Sequence, residues 1–184
     1  MSHHVQLQGS AERLHKRGIS EKVCQQYRIY KDGDVLRFYY FDDAGILKGC
    51  KVKTKSKDFS YEGEVTGTLF GQHLFPSTGK RVVITEGELD AASCQEAMPG
   101  WPMVSLPSGA NSARKSIQRV IPWLQGYEEI VLFFDNDEHG RKATQEAAGV
   151  LPPGKCKIAR LETYKDASDA LQANDSEAIR RAIW

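Results

Sequence analysis

The chain has 184 residues, 40% of them hydrophobic and 27% charged, and a formal net charge of +1. That length suits one well-packed domain, or a compact domain carrying a smaller lobe. That composition fits a globular rather than a disordered chain, and with no run of about twenty apolar residues a membrane-spanning class is excluded too. The small net charge hides local fields, because a lysine-rich stretch at 48–57 is offset by acids at 86–90, 135–138 and 166–169.

In chain order, Met1 to Leu7 shows neither the basic start nor the apolar stretch of a secretory signal, so the expectation is a protein that stays where it is made. Residues 11–28 carry a helical pattern that fits a short helix-turn-helix, with Ser20 as an N-cap and Val23, Cys24 and Tyr27 on one face. Val35 to Phe41 and Ile46 to Lys55 flank the turn Asp42-Asp43-Ala44-Gly45 and predict a hairpin. Residues 56–79 are polar and glycine-rich, and the boundary between lobes is expected at Pro76 to Gly79. From Arg81 the rhythm becomes strand, helix, strand, helix: strands at 82–85, 103–106, 129–134 and 156–161, helices at 89–98, 112–124 and 139–149, and a last helix from Ser176. Such βαβ alternation predicts a parallel sheet with helices on both faces and its strand carboxyl ends on one rim.

Two buried strands end in acid along that rim. Val82-Val83-Ile84-Thr85 runs into Glu86-Gly87, and Ile130-Val131-Leu132-Phe133-Phe134 into Asp135-Asn136-Asp137. Open parallel sheets bind ligands there, and convergent carboxylates are costly unless a hard cation neutralises them. The economical reading is a magnesium site for phosphoryl or nucleotidyl transfer. The blander one is that Asp-x-Asp-x-x-Gly caps the helix starting near His139. For Glu86, metal ligand and general base are both open, with Gly87 permitting a positive φ or a close approach. Glu88 and Asp90 read as first-turn acids that favour the helix dipole. Asp166, at the next strand end, either joins the acidic set or leaves Asp169 to cap the last helix.

Cations and rings supply the other half of the chemistry. Lys51, Lys53, Lys55 and Lys57 recur with period two, which on a strand is a phosphate-gripping stripe or a charged edge that discourages aggregation. Arg37 sits beside Phe38, Tyr39 and Tyr40, a mixture suited to nucleobases if the rings are not core. Arg114 and Lys115 follow the Ser108-Gly109-Ala110-Asn111 turn, and Arg141 and Lys142 follow the aspartate pair, as phosphate contacts or solvated surface. The cysteines Cys24, Cys50, Cys94 and Cys156 form no Cys-x-x-Cys pair and read as reduced thiols.

Glu-Gly after one strand, Asp-x-Asp-x-x-Gly after another and a trailing Lys165-Asp166 resemble the Toprim domain of bacterial-type primases, topoisomerases and some nucleases. Further stretches, among them Arg17-Gly18-Ile19-Ser20, Lys57-Asp58-Phe59, Leu69-Phe70-Gly71, Val83 to Asp90 and Leu151 to Lys155, are similar to the RNA-polymerase domain of bacteriophage primase-helicases. The resemblance implies an α/β Toprim fold, a Rossmann-like parallel sheet flanked by helices, over 79–184 with a smaller N-terminal α+β lobe over 1–78. It implies Glu86, Asp135 and Asp137 as catalytic magnesium ligands, manganese substituting, with Asp166 in the same set. It also implies nucleotide or template contacts at Lys51 and Lys57, to which the residue pattern adds Lys53, Arg37, Arg141 and Lys165.

The activity so implied is synthesis of short RNA primers from ribonucleoside triphosphates on single-stranded DNA, in the cytoplasm of a bacterial host. The alternatives are a Toprim-type nuclease and a noncatalytic DNA-binding Toprim protein. The sequence departs from the family at three points. No zinc-binding module and no Walker A motif occur in these 184 residues, so both zinc module and replicative helicase are expected as partners in cis or in trans. A family lysine shortly after Phe59 is here Ser60.

Overall fold

The computed structural model describes residues 4–184, so Met1 to His3 of the N-terminal segment lie outside the described residues. Two sheets make the frame. The first is antiparallel in the order β1-β2-β3-β4, from Ile29–Asp32, Val35–Phe41, Leu47–Lys53 and Phe59–Gly63. The second is parallel in the order β6-β5-β7-β8, from Gly79–Thr85 (β5), Met103–Ser105 (β6), Tyr127–Phe133 (β7) and Cys156–Ile158 (β8).

The predicted hairpin is β2 and β3. Its flanking partners β1 and β4 were not expected, and the helical pattern over 11–28 resolves into one 3-10 turn at His15–Arg17 and one α-helix, α1, Glu21–Tyr27. The Ser20 hydroxyl does cap α1, accepting from the Val23 N–H at 3.2 Å, and Val23, Cys24 and Tyr27 are buried as the spacing requires.

In the parallel sheet, successive side chains alternate between two cores. Val82, Ile84, Ile130 and Leu132 pack with Ala113, Ile117, Ala143 and Ala147 from helices α3 (Ala113–Arg119) and α5 (Glu138–Ala148). Val83, Val131 and Phe133 pack on the opposite face with Cys94, Ala97, Ala170, Ile179 and Ile183 from α2 (Glu88–Ala97), α6 (Ala167–Gln172) and α7 (Ser176–Ile183). The helix expected over 112–124 is broken at Val120, where Pro122 near the start of α4 (Ile121–Leu124) cannot donate to the preceding turn.

Helix α2 is buried nearly all round, with only Glu96 of its ten residues not buried. Small residues make this tolerable: Ala91, Ala92, Ser93 and Cys94 let neighbours approach from every side. Leu89 and Ala92 belong to the core beneath the antiparallel sheet, with Ile19, Tyr27, Phe38, Tyr40 and Phe70, while Cys94 and Ala97 belong to the core of the parallel sheet. The segment between the sheets is stitched to both, since Phe70 forms an antiparallel bridge with Ser105 at the β6 edge. The first turn of α2 therefore forms the floor between the two sheets.

Candidate active site

The chain leaves β5 toward β6 on one side and returns to β7 on the other, so the crossovers part between β5 and β7. Such a switch point opens a crevice at the strand carboxyl ends. Thr85 pairs with Phe133, which brings Glu86 and Asp135 out on adjacent strands.

One oxygen from each of Asp90, Asp135 and Asp166 lies within 4.8 Å of the others. Glu86 joins them. It lines the same cleft, its charge raises the pKa of Asp135, and its buried Oε1 has no hydrogen-bond partner. Local structure aims the group. The main-chain N–H of Ser168 donates to Asp90 at 2.9 Å, fixing α6 against α2. Asp166 caps α6, accepting from the Asp169 N–H at 2.8 Å, and Asp137 caps α5, accepting from the Gly140 N–H at 2.8 Å. Capping thus occurs at Asp137 and Asp166, whereas Glu86 and Asp135 cap nothing.

The two glycines have distinct reasons. A Cβ on Gly140 would lie 1.9 Å from the Asp135 carbonyl oxygen, so only glycine lets α5 start close enough to hold the aspartate loop. Gly87 has an extended φ of −119° and serves close approach instead, its Cβ position being 3.1 Å from Asp90 Oδ2.

Crowding shows in the protonation equilibria. Burial, then the charges of Glu86 and Asp166, push the Asp135 carboxyl up to about 7. Burial with the charges of Asp166 and Asp135 holds Asp90 well above the carboxylate range, and Glu86 and Asp166 are raised by burial first. Lys165, 3.7 Å from Asp137, is raised by Asp135 before any other neighbour. An orphaned buried oxygen amid like charges is an arrangement that a hard divalent cation stabilises, and the all-oxygen donor set fits magnesium.

Across the cleft stands the antiparallel sheet. A space of about 330 Å³ is lined by Glu86, Asp90, Asp135 and Asp166 on one wall and by Arg17, Lys51, Lys53, Phe59 and Tyr61 on the other. The lysine stripe does not persist, because β3 ends at Lys53 and the chain then turns. Lys55 is exposed and paired with Asp34 at 2.9 Å, and Lys57 takes a left-handed φ of 65° in the turn before β4. Lys51 is buried, 2.9 Å from Glu88 Oε1 and 3.2 Å from the Pro107 carbonyl oxygen, while the Tyr40 hydroxyl donates to Glu88 at 2.7 Å. Glu88 is therefore an internal partner of Lys51 that joins the sheets, more than a dipole residue.

Arg37 points to the sheet face away from the cleft, where Asp32 at 3.0 Å and Glu62 at 3.1 Å engage it. The rings of Phe38, Tyr39 and Tyr40 are core. Arg141 is exposed, 3.4 Å from the Asn136 side-chain oxygen, and does not line the cleft. Arg114 and Lys115 are exposed on α3 and line it no more than Arg141 does.

Four residues of the cleft do not announce themselves as site residues in the sequence. In the sequence Asp90 is marked only as a helix-dipole acid, with its four-residue spacing from Glu86 as the available clue. Arg17, which donates to the Ser168 hydroxyl at 3.3 Å, and the Phe59/Tyr61 pair gave no comparable pattern.

A parallel sheet with its switch point at carboxylates is a Toprim arrangement, and a Toprim-like family profile matches residues 83–171. The primase fragment of the bacteriophage T7 primase-helicase superposes with a TM-score of 0.88 at 37% identity, covering 96% of this chain and 74% of that one. The DNA helicase/primase of Enterobacteria phage T3 is 37% identical over 182 residues, 93% of this chain and 31% of that protein. The E. coli primase catalytic core shares the fold, with a TM-score of 0.70 at 16% identity over 92% of this chain and 70% of that one. The chain belongs to the family of phage primase-helicase primase domains, and it spans about a third of the length of its phage T3 relative.

Proposed function

We propose that the chain is a DNA primase catalytic domain that joins ribonucleoside triphosphates on a single-stranded DNA template. The attacking group is the 3′ hydroxyl of one nucleotide, the electrophile is the α-phosphate of the next, and pyrophosphate leaves. The observation that carries this is the convergence of Asp90, Asp135 and Asp166, with Glu86 lining the same cleft and its Oε1 buried and unpartnered. With Asp137 beside them, these groups would hold magnesium, or manganese in its place. Divalent ions there supply Lewis-acid activation of the attacking hydroxyl and neutralise charge on the departing phosphate.

The residues of the chain do the rest. The alternative to an ion-holding role for Glu86 is that its carboxyl, raised by burial, accepts the hydroxyl proton. Lys53 and Arg17 from one wall and Lys165 from the other meet triphosphate or template phosphates. Lys57 adds charge at the turn above Lys53, whereas Lys51 works from behind by holding Glu88, and Arg37 takes no part. The lobes we assign are 1–78 for template and nucleotide contacts and 79–184 for catalysis. A zinc-binding module and a replicative helicase act with the domain in cis or in trans, and the site of action is the cytoplasm of a bacterial host. Among the described residues no helix is long and apolar enough to cross a membrane.

The test is incubation with single-stranded DNA, magnesium and labelled ribonucleotides. Labelled oligoribonucleotides are expected, and Asp135→Ala and Asp137→Ala should each abolish them while leaving the fold intact. Near-normal synthesis by both variants refutes the assignment. Shortened DNA without new oligoribonucleotides would mark a nuclease instead.

A further inference from the structure

Strand β4, Phe59–Gly63, is the edge of its sheet and all five of its residues are exposed. On it, Phe59 is 50% and Tyr61 49% exposed, although bare aromatic rings side by side on an open edge invite aggregation. Both rings lie on one side of the strand. Phe59 pairs with Lys53 and Tyr61 with Lys51, so the rings share the face of the basic wall, while Ser60, paired with Val52, turns away. The Lys51 ammonium lies 4.6 Å from the Phe59 ring centroid. Both rings look into the acidic cleft. Tyr61 also lines a second groove, of about 480 Å³, between β4 and the segment His4, Val5, Gln6 and Gln8.

We infer that Phe59 and Tyr61 form a stacking track for consecutive bases of the template single strand, which runs from the acidic cleft across β4 into the groove beyond. This rests on the primase reading above. Rings two residues apart on a strand stand about 7 Å apart, room for successive unpaired bases to be held separately. Base-on-ring stacking of this kind tolerates any sequence. Lys53 and Arg17 supply cations beside the rings for the phosphates of that strand. A mononucleotide bound at the carboxylates has no use for a surface that continues past Tyr61 into another groove; a polymer does.

The experiment is anisotropy titration of a short labelled oligodeoxynucleotide in magnesium at several salt concentrations, alongside the nucleotide KM for primer synthesis. Because no residue of β4 is buried, Phe59→Leu, Tyr61→Ala and the double variant keep the core, and Ile46→Ala, exposed in the hairpin turn, is the control. Oligonucleotide affinity should fall about tenfold per ring lost. Tyr61→Phe should restore it, the salt slope should stay as it was because no cation is removed, and the nucleotide KM should hold.

Unchanged affinity in the double variant overturns the track, as does absence of measurable oligonucleotide binding by the unsubstituted chain. A raised nucleotide KM with intact oligonucleotide affinity also overturns it, by placing the incoming nucleotide on the rings. Ring-dependent oligonucleotide binding in a protein that joins no nucleotides supports the track and overturns primer synthesis, so the two failures are distinguishable.

Discussion

Strands β5 and β7 end in opposite electrostatic conditions. At their amino ends, Arg81 and Glu129 are paired across the sheet at 2.7 Å, with the guanidinium 4.6 Å from the Trp184 ring centroid and 5.8 Å from that of Trp101. At their carboxyl ends, Glu86 and Asp135 stand beside other acids, and both are raised above the usual carboxylate range. One end gathers unlike charges and holds the sheet together. The other gathers like charges and weakens it, which is the expected mark of a place kept for a ligand.

The largest effect that would break this contrast is at Asp135. Asp135→Asn should lower primer synthesis by at least about a thousandfold, as loss of a group acting directly on the transition state does, yet raise the melting temperature of the metal-free protein by removing repulsion. A fall in melting temperature on calorimetry in chelator would mean that the acids stabilise the fold.

At the other end, Glu129→Ala leaves a buried guanidinium unpaired. It should lower stability by about 2 kcal/mol in denaturant titration while synthesis by the folded protein is retained.

Dependence on pH comes next. Because Asp135 has a folded-state pKa above its unfolded one, the stability it contributes is fully present below about pH 4 and is lost as pH rises through about 7, and its neighbours, raised too, act in the same direction. Melting temperature in chelator should therefore fall between pH 5 and 8, and saturating magnesium should flatten the slope. A slope that survives magnesium would separate the ion from these carboxylates.

The smallest effect is at Trp184, whose ring covers Arg81 but is 57% exposed. Trp184→Ala should cost about 0.5–1 kcal/mol, read from the same titration.

How far the sequence disclosed this depends on where burial left a pattern. The parallel sheet was legible because its strands are apolar runs that stop at acid, and Glu86 and Asp135 were found through those stops. Strand β4 was not, since with every residue exposed it has no alternation to read. Strand β1, four residues directly after the helical pattern, and α6, six residues long, are too short to show a period. Four lysines at even spacing promised one stripe, but the positive φ at Lys57 marks a turn that side-chain identity does not announce. Asp90 had only its spacing from Glu86 to mark it until folding brought the Asp166 loop, distant in the chain, against the start of α2.

Helix α2 contributes to the hydrophobic interior on both sides, so the jaws of the crevice share a single hinge-less beam. Spreading them would strip Leu89, Ala92, Cys94 and Ala97 of their neighbours at once. If the chain makes primers as proposed, a lengthening RNA–DNA hybrid should depart by slipping along the open rim, one nucleotide after another, through a mouth whose width does not change between steps.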